Sequence, residues 1–172
     1  MPRRDPLTPE QKWLAVTRFA TALPVLYDVT FRERIGDEYD RLDQQIWVRL
    51  ATVARDFATS SGLPAGNAGE LMETLGALLL ALFGPEFRME NVPLDEGRAV
   101  LMIKRCPFAF REAEVRGGPE NLLPRCLAFS IATVEALNPA FTLRFVRSMC
   151  MGDRTCELKV MRREDAERDD AR

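Results

Sequence analysis

The dipeptide Gly84-Pro85 splits the chain into halves of different periodicity, and this limits the folds open to it. Before it, apolar residues recur at steps of three, four and seven; after it, they fall in short alternating runs between turn residues. The spacing predicts a helix over Thr8 to Val29. Thr8 is its N-cap, Pro9 takes the first helical position, and Gln11 lies three residues after the cap, as in a capping box. Trp13, Val16, Phe19, Ala20 and Leu23 are expected to form its core-facing side, and Pro24 to stop or kink it. A longer helix is expected from Phe31 to Ala58, burying Phe31, Ile35, Leu42, Ile46, Leu50, Val53 and Phe57. Ser60 to Asn67 is a loop by its turn residues, and Leu71 to Leu82 is apolar on more than one face, which suits a helix between two layers.

Phe87 to Val92 and Ala99 to Lys104 read as strands joined through Pro93-Leu94-Asp95-Glu96-Gly97. On them Arg88, Glu90 and Arg98 alternate with apolar residues as the wet face of a sheet does. Cys106 to Gly118 reads as irregular, with at most a helical turn or two in Ala109 to Val115. Pro119 opens a further helix through Leu122, Leu123, Leu127, Ile131 and Val134, closed by Asn138-Pro139. Strands over Phe141 to Cys150 and Cys156 to Met161 flank Gly152-Asp153. Helices segregated before a small, mostly antiparallel sheet imply a single α+β domain over residues 1–162. Its helical part is 8–83, its four-cysteine sheet part 85–162, and residues 163–172 are expected to be a charged, disordered tail.

A chain of 172 residues is long enough to bury a core without staples. Its 24 Lys and Arg against 26 Asp and Glu leave a net charge of -2, which argues against direct nucleic-acid binding. The absence of histidine removes Ser-His-Asp and Cys-His catalysis and every mixed Cys/His zinc finger. No phosphate-binding loop occurs. The N-terminus carries no secretory pattern, and the longest apolar run, Leu75 to Phe83, is far short of the ~20 residues a membrane span needs. A cytoplasmic protein without membrane association is the expectation.

Any transition-metal site must therefore rest on thiolate and carboxylate, and all four cysteines lie between Cys106 and Cys156. Cys106 falls at a strand end, Cys126 on a helix, and Cys150 and Cys156 on either side of the last turn. If that turn is a hairpin, the last two are cross-strand neighbours able to form a disulfide or share an ion. Arg105, Arg125, Arg147 and Arg154 lie close in sequence and would favour thiolates slightly. Against a site stand the ease with which free cysteines pack as small hydrophobes and the lack of a C-x2-C knuckle. Glu112 and Glu114 offer a paired-carboxylate acid/base site, though a weak one. Phe108, Phe110, Phe129, Phe141 and Phe145 serve either a core or an apolar ligand cavity, and Met149 and Met151 are expected to fill gaps rather than ligate.

The run Cys106-Pro107-Phe108, then Cys126, then Ser148-Met149-Cys150-Met151-Gly152-Asp153-Arg154-Thr155-Cys156-Glu157-Leu158 resembles the C-terminal half of the 4-vinyl-reductase domain family, and within it the methanogen output domain. The likeness covers roughly residues 85–162. It implies a sensor domain with one metal site made of Cys106, Cys126, Cys150 and Cys156, beside a pocket for a small apolar ligand. The implied occupant is an iron-sulfur cluster, four-iron four-sulfur favoured, or Zn.

The expected function is thus a sensory or ligand-binding module that signals through self-association, as a homodimer, or through a separate regulator protein. The alternatives are a structural zinc-binding protein and a metal- or cluster-dependent enzyme acting on a small apolar substrate. Four thiolates would close a tetrahedral site, which counts against Lewis-acid catalysis.

Overall fold

The computed structural model describes residues 6–116 and 122–171. Three helices come first: α1 (Pro9–Ile35), α2 (Glu38–Ser60) and α3 (Ala68–Phe83). A hairpin of β1 (Arg88–Asp95) and β2 (Arg98–Arg105) follows, then α4 (Pro107–Arg116) and α5 (Leu123–Leu137). The chain closes with β3 (Phe141–Arg147), a 3-10 turn at Met149–Met151, β4 (Cys156–Arg162) and α6 (Arg163–Asp170). The sheet is antiparallel in the order β1-β2-β4-β3, so the architecture is the α+β arrangement expected from the order of patterns.

Thr8 caps α1 through the expected reciprocal capping box with Gln11. The helix does not end near Pro24 or Val29; it runs to Ile35 and stops at Gly36, whose φ of +55° breaks the helical path. Pro24 is carried inside the helix. The predicted faces of the first two helices are reversed. In α1 the buried residues are Thr17, Thr21, Val25 and Asp28, while Val16, Phe19, Leu23, Leu26, Tyr27 and Phe31 are exposed. In α2 the buried residues are Tyr39, Asp43, Trp47, Ala51 and Ala58, while Leu42, Ile46, Val53 and Phe57 point outward. Periodicity located apolar stripes but could not say which of two stripes meets the core.

The core lies where α3 and α5 cover one face of the sheet. Leu71, Met72, Leu75 and Leu79 of α3 meet Leu101 and Ile103 of β2, Leu158 and Val160 of β4, and Phe129 of α5. Close packing is enforced at Gly84, whose Cβ would reach Thr17 Cβ at 2.8 Å, while Gly76 lets the flexible end of Met89 lie against α3. Gly84 also holds a φ of +87°, so it ends α3 and lets α1 cross the chain there.

Three further expectations change. Pro107–Arg116 is a ten-residue helix rather than irregular chain, begun by Pro107 at a position that needs no N–H donor. The predicted Phe141–Cys150 strand ends at Arg147, so Cys150 stands on the 3-10 turn and is not a cross-strand neighbour of Cys156, whose register partner is Ile103. Most of the expected charged tail is α6, which buries Ala166 and receives Arg144 on the Ala166 carbonyl and the Asp170 carboxylate. Pro119, read as a helix start, lies outside the described residues.

Candidate functional site

All four cysteines line one apolar cavity between the sheet and α2–α5. Its free space is about 30 Å³, room for one or two water-sized bodies. Cys106 sits where β2 gives way to α4, Cys126 on the first turn of α5, Cys150 in the 3-10 turn, and Cys156 at the first residue of β4. Cys126 therefore faces the sheet side of its helix, as its apolar neighbours imply.

The turn between the last two cysteines explains the sequence Ser148-Met149-Cys150-Met151-Gly152-Asp153. The Ser148 hydroxyl accepts the Cys150 N–H at 3.2 Å, and the Asp153 carboxylate accepts the Ser148 N–H at 2.9 Å. Gly152 supplies the left-handed residue, φ +94°, that returns the chain. Met149 N–H donates to Cys156 Sγ at 3.3 Å, tying the turn to the strand. The motif is thus a clamp that sets two thiols on one wall.

The rest of the wall is aromatic. Trp47 packs against Phe108 with ring centres 5.8 Å apart and meets Phe129 edge-on at 6.0 Å, while Phe83 closes on Phe108 at 5.6 Å. Of the phenylalanines singled out from sequence, Phe108, Phe129 and Phe145 line the cavity. Phe141 is buried below Arg162, and Phe110 is exposed beneath Arg105.

Burial in this apolar setting pushes the Cys106 thiol up to about 12, against backbone N–H groups of Ala109 and Phe108 that pull it down. Cys150 is raised to about 11, chiefly by burial, with Cys156 and Glu112 adding and the Ser148 hydroxyl opposing. Burial raises Cys126 most strongly, the charges of Cys106, Cys150 and Cys156 add to it, and Arg125 relieves it only slightly. Cys156 is raised by burial as well. The four groups are neutral thiols at neutral pH, so the thiolate character suggested by neighbouring arginines is overridden by desolvation.

Sequence reasoning missed the ionic cluster behind this wall. Arg125 lines the cavity with a side chain only 1% exposed; its Nε donates to Asp43 Oδ2 at 2.6 Å and its Nη2 to Asp28. Nη1 lies 3.5 Å from Glu112 Oε2. Burial works against the guanidinium charge, but Asp43 and Asp28 outweigh it and keep it protonated. Arg32 bridges Asp28 and Asp40, and Trp47 Nε1 donates to Asp43 at 3.3 Å. Glu112 thus belongs to this cluster and not to a pair with Glu114, which is exposed and bound by Arg111. A lone Asp28 in the otherwise apolar stretch of α1, and Asp43 four residues before Trp47, were the available signals.

The donor set is one that soft metals accept, but among the described residues no three His, Cys, Asp or Glu side chains stand in an arrangement that grips an ion as they are.

No family model and no curated protein matches the chain by sequence. Solved structures do match its fold. One is a trafficking protein particle complex subunit 3 from Naegleria fowleri covalently bound to palmitic acid, with 12% identity and a TM-score of 0.54 over 85% of this chain and 96% of that one. Another is the phenol-responsive sensory domain of the transcription activator PoxR with phenol, with 15% identity and a TM-score of 0.50 over 88% of this chain and 80% of that one. The chain has a fold that a sensory domain also uses. At these identities the likeness is one of fold, and the 4-vinyl-reductase resemblance has no family match beneath it.

Proposed function

We propose that the chain is a sensory or ligand-binding module whose thiol-lined cavity takes a soft metal ion and, beside it, a small apolar ligand. One observation carries this reading. Four cysteines scattered over fifty residues, on four separate elements, converge on a single aromatic-walled space. Sulfurs used only as small hydrophobes would have no reason to share one wall. The fold likeness to a sensory domain supports the module reading, and the phenol and palmitic acid in the two neighbours agree with an apolar ligand here.

Cys106, Cys126, Cys150 and Cys156 would hold the ion, which would draw the helical layer and the sheet together. A single ion such as Zn fits the ~30 Å³ of free space with less rearrangement than a cluster of eight metal and sulfide atoms. Binding requires the thiols to release their protons, so affinity rises with pH. Arg125, one residue from Cys126, sets a positive charge against the negative charge that four thiolates bring. The occupied cavity would then signal through self-association or a separate regulator protein.

The test is metal analysis and an absorption spectrum of protein purified without oxygen, on wild type and on four single Cys→Ser variants. The expected result is about one equivalent of zinc, most of it lost in each variant, because each removes one ligand from the same site. Visible absorption bleached by air would replace zinc with an iron-sulfur cluster. Protein without metal, with all four variants folding as wild type, would remove the metal site altogether.

A further inference from the structure

The outward stripe on α1 has the spacing of a helix-pairing seam. Val16, Phe19, Leu23 and Leu26 follow one another at three, four and three residues, the a/d pattern of a coiled coil. They are 63%, 71%, 47% and 50% exposed, and Tyr27 beside them is 52% exposed. The opposite side of α1 is already committed to the fold through Thr17, Thr21, Val25 and Asp28. Helix α1 thus has two working faces, one of them left exposed by the described residues. Between Trp13 and Phe31 the only exposed charge on it is Arg18.

We infer that the α1 seam pairs with the same seam of a second copy, antiparallel about a two-fold axis near Leu23. This deepens the self-association part of the functional reading and rests on it for its signalling role, though not for its existence. Three arguments select a second copy. The exposed apolar area from Trp13 to Phe31 is on the order of 700 Å², taking ~200 Å² for a large aromatic side chain; it exceeds the patch usual on a monomer and approaches the ~800 Å² per partner of a stable interface. A stripe with a/d spacing is complementary to itself, which a two-fold contact requires. The lone charge also fixes the direction. A parallel alignment would set the two Arg18 side chains together, whereas the antiparallel one that places Phe19 opposite Leu26 of the partner subunit sets each Arg18 over Tyr27 of the partner subunit. Arg18 can do so, being 54% exposed and, among the described residues, paired through its side chain with Glu86 alone at 3.7 Å.

A membrane surface is the competing occupant, since α1 is by length and composition apolar enough to cross a bilayer. Light scattering at ~10 μM, vesicle co-sedimentation with phosphatidylcholine/phosphatidylglycerol liposomes, and oxidative cross-linking separate the two. Wild type should weigh twice 19.5 kDa and stay in the supernatant. Phe19→Asp should weigh 19.5 kDa with unchanged helical circular dichroism and unchanged metal content. A mixture of Phe19→Cys and Leu26→Cys chains should form one mixed disulfide, while Phe19→Cys alone and wild type, whose own thiols face the interior cavity, should not cross-link. A monomeric wild type, sedimentation with vesicles, or cross-linking of Phe19→Cys to itself would each overturn the inference. If the dimer fails while the four cysteines still bind metal, the sensory reading survives without this interface; if the metal fails and the dimer stands, the reverse holds.

Discussion

Replacing Arg125 with Met tests whether the ionic cluster behind the cavity governs stability. The side chain is almost fully buried, and so are the Asp28 and Asp43 carboxylates it binds, at 0% and 10% exposure. Met fills much of the same volume but takes the guanidinium away from the buried carboxylates of Asp43 and Glu112, while Asp28 keeps Arg32. Removing one member of a buried ion pair costs about 3–5 kcal/mol, a large share of the ~5–15 kcal/mol that holds a domain together. With a urea slope of about 2 kcal/mol/M, the midpoint should fall by roughly 1.5–2.5 M, read by circular dichroism. Arg32→Met should cost less than half as much, because Arg32 is 20% exposed, Asp40 is 41% exposed, and Asp28 keeps Arg125. Adding Asp43→Asn and Glu112→Gln to Arg125→Met should restore at least half of the loss, since the charges that lost the guanidinium are then gone and Asp28 still has Arg32. If Arg125→Met lies within about 1 kcal/mol of wild type, the cluster is not what fastens α1 and α2 to α5.

The thiols predict alkaline weakness in metal-free protein. The folded state keeps Cys150 protonated to about 11 and Cys106 to about 12, whereas an unfolded thiol releases its proton near 9. Their contribution is therefore whole below pH 9 and is lost as pH rises through 11–12, by on the order of 1 kcal/mol per pH unit per thiol. Urea midpoints at pH 8 and 10.5 should show a steeper decline for wild type than for Cys106→Ala; equal slopes would remove the thiols as the cause. Gly84→Ala should be far more damaging than an ordinary surface change, by about 2 kcal/mol or more, because the added Cβ meets Thr17 in a left-handed backbone. A melting temperature within a degree or two of wild type would contradict that packing.

Much of the architecture was legible because capping and turn residues speak locally. Thr8, Pro9 and Gln11 start α1, Gly84-Pro85 ends the helical half, and alternation marks β1 and β2. Orientation was not legible. In α1 and α2 the larger, more apolar stripe faces out, and the core-facing side mixes Val25, Trp47 and Ala51 with Thr17, Asp28 and Asp43, which meet Gly84 at the α3 terminus and Arg125. The site was half visible: residue type and grouping pointed to the four cysteines, while Arg125 reads in sequence only as a basic neighbour that favours the Cys126 thiolate slightly. A buried charge is legible only through its partners, and these lie 82 and 97 residues away in sequence.

The edges of the sheet bear on how copies of this chain can meet. β1 and β3 are the outer strands, and an open strand edge invites another chain to add its own backbone. Here β1 is interrupted by Pro93 and by a register break before Asp95, while β3 carries Arg144 at its middle and Arg147 at its end and is held at Arg144 by the returning α6. Strand-to-strand stacking, which has no natural end, is discouraged on both flanks. What is left for contact is helical, and the proposed two-fold α1 contact would use itself up when the second copy arrives, so such a pair would not grow into a ribbon.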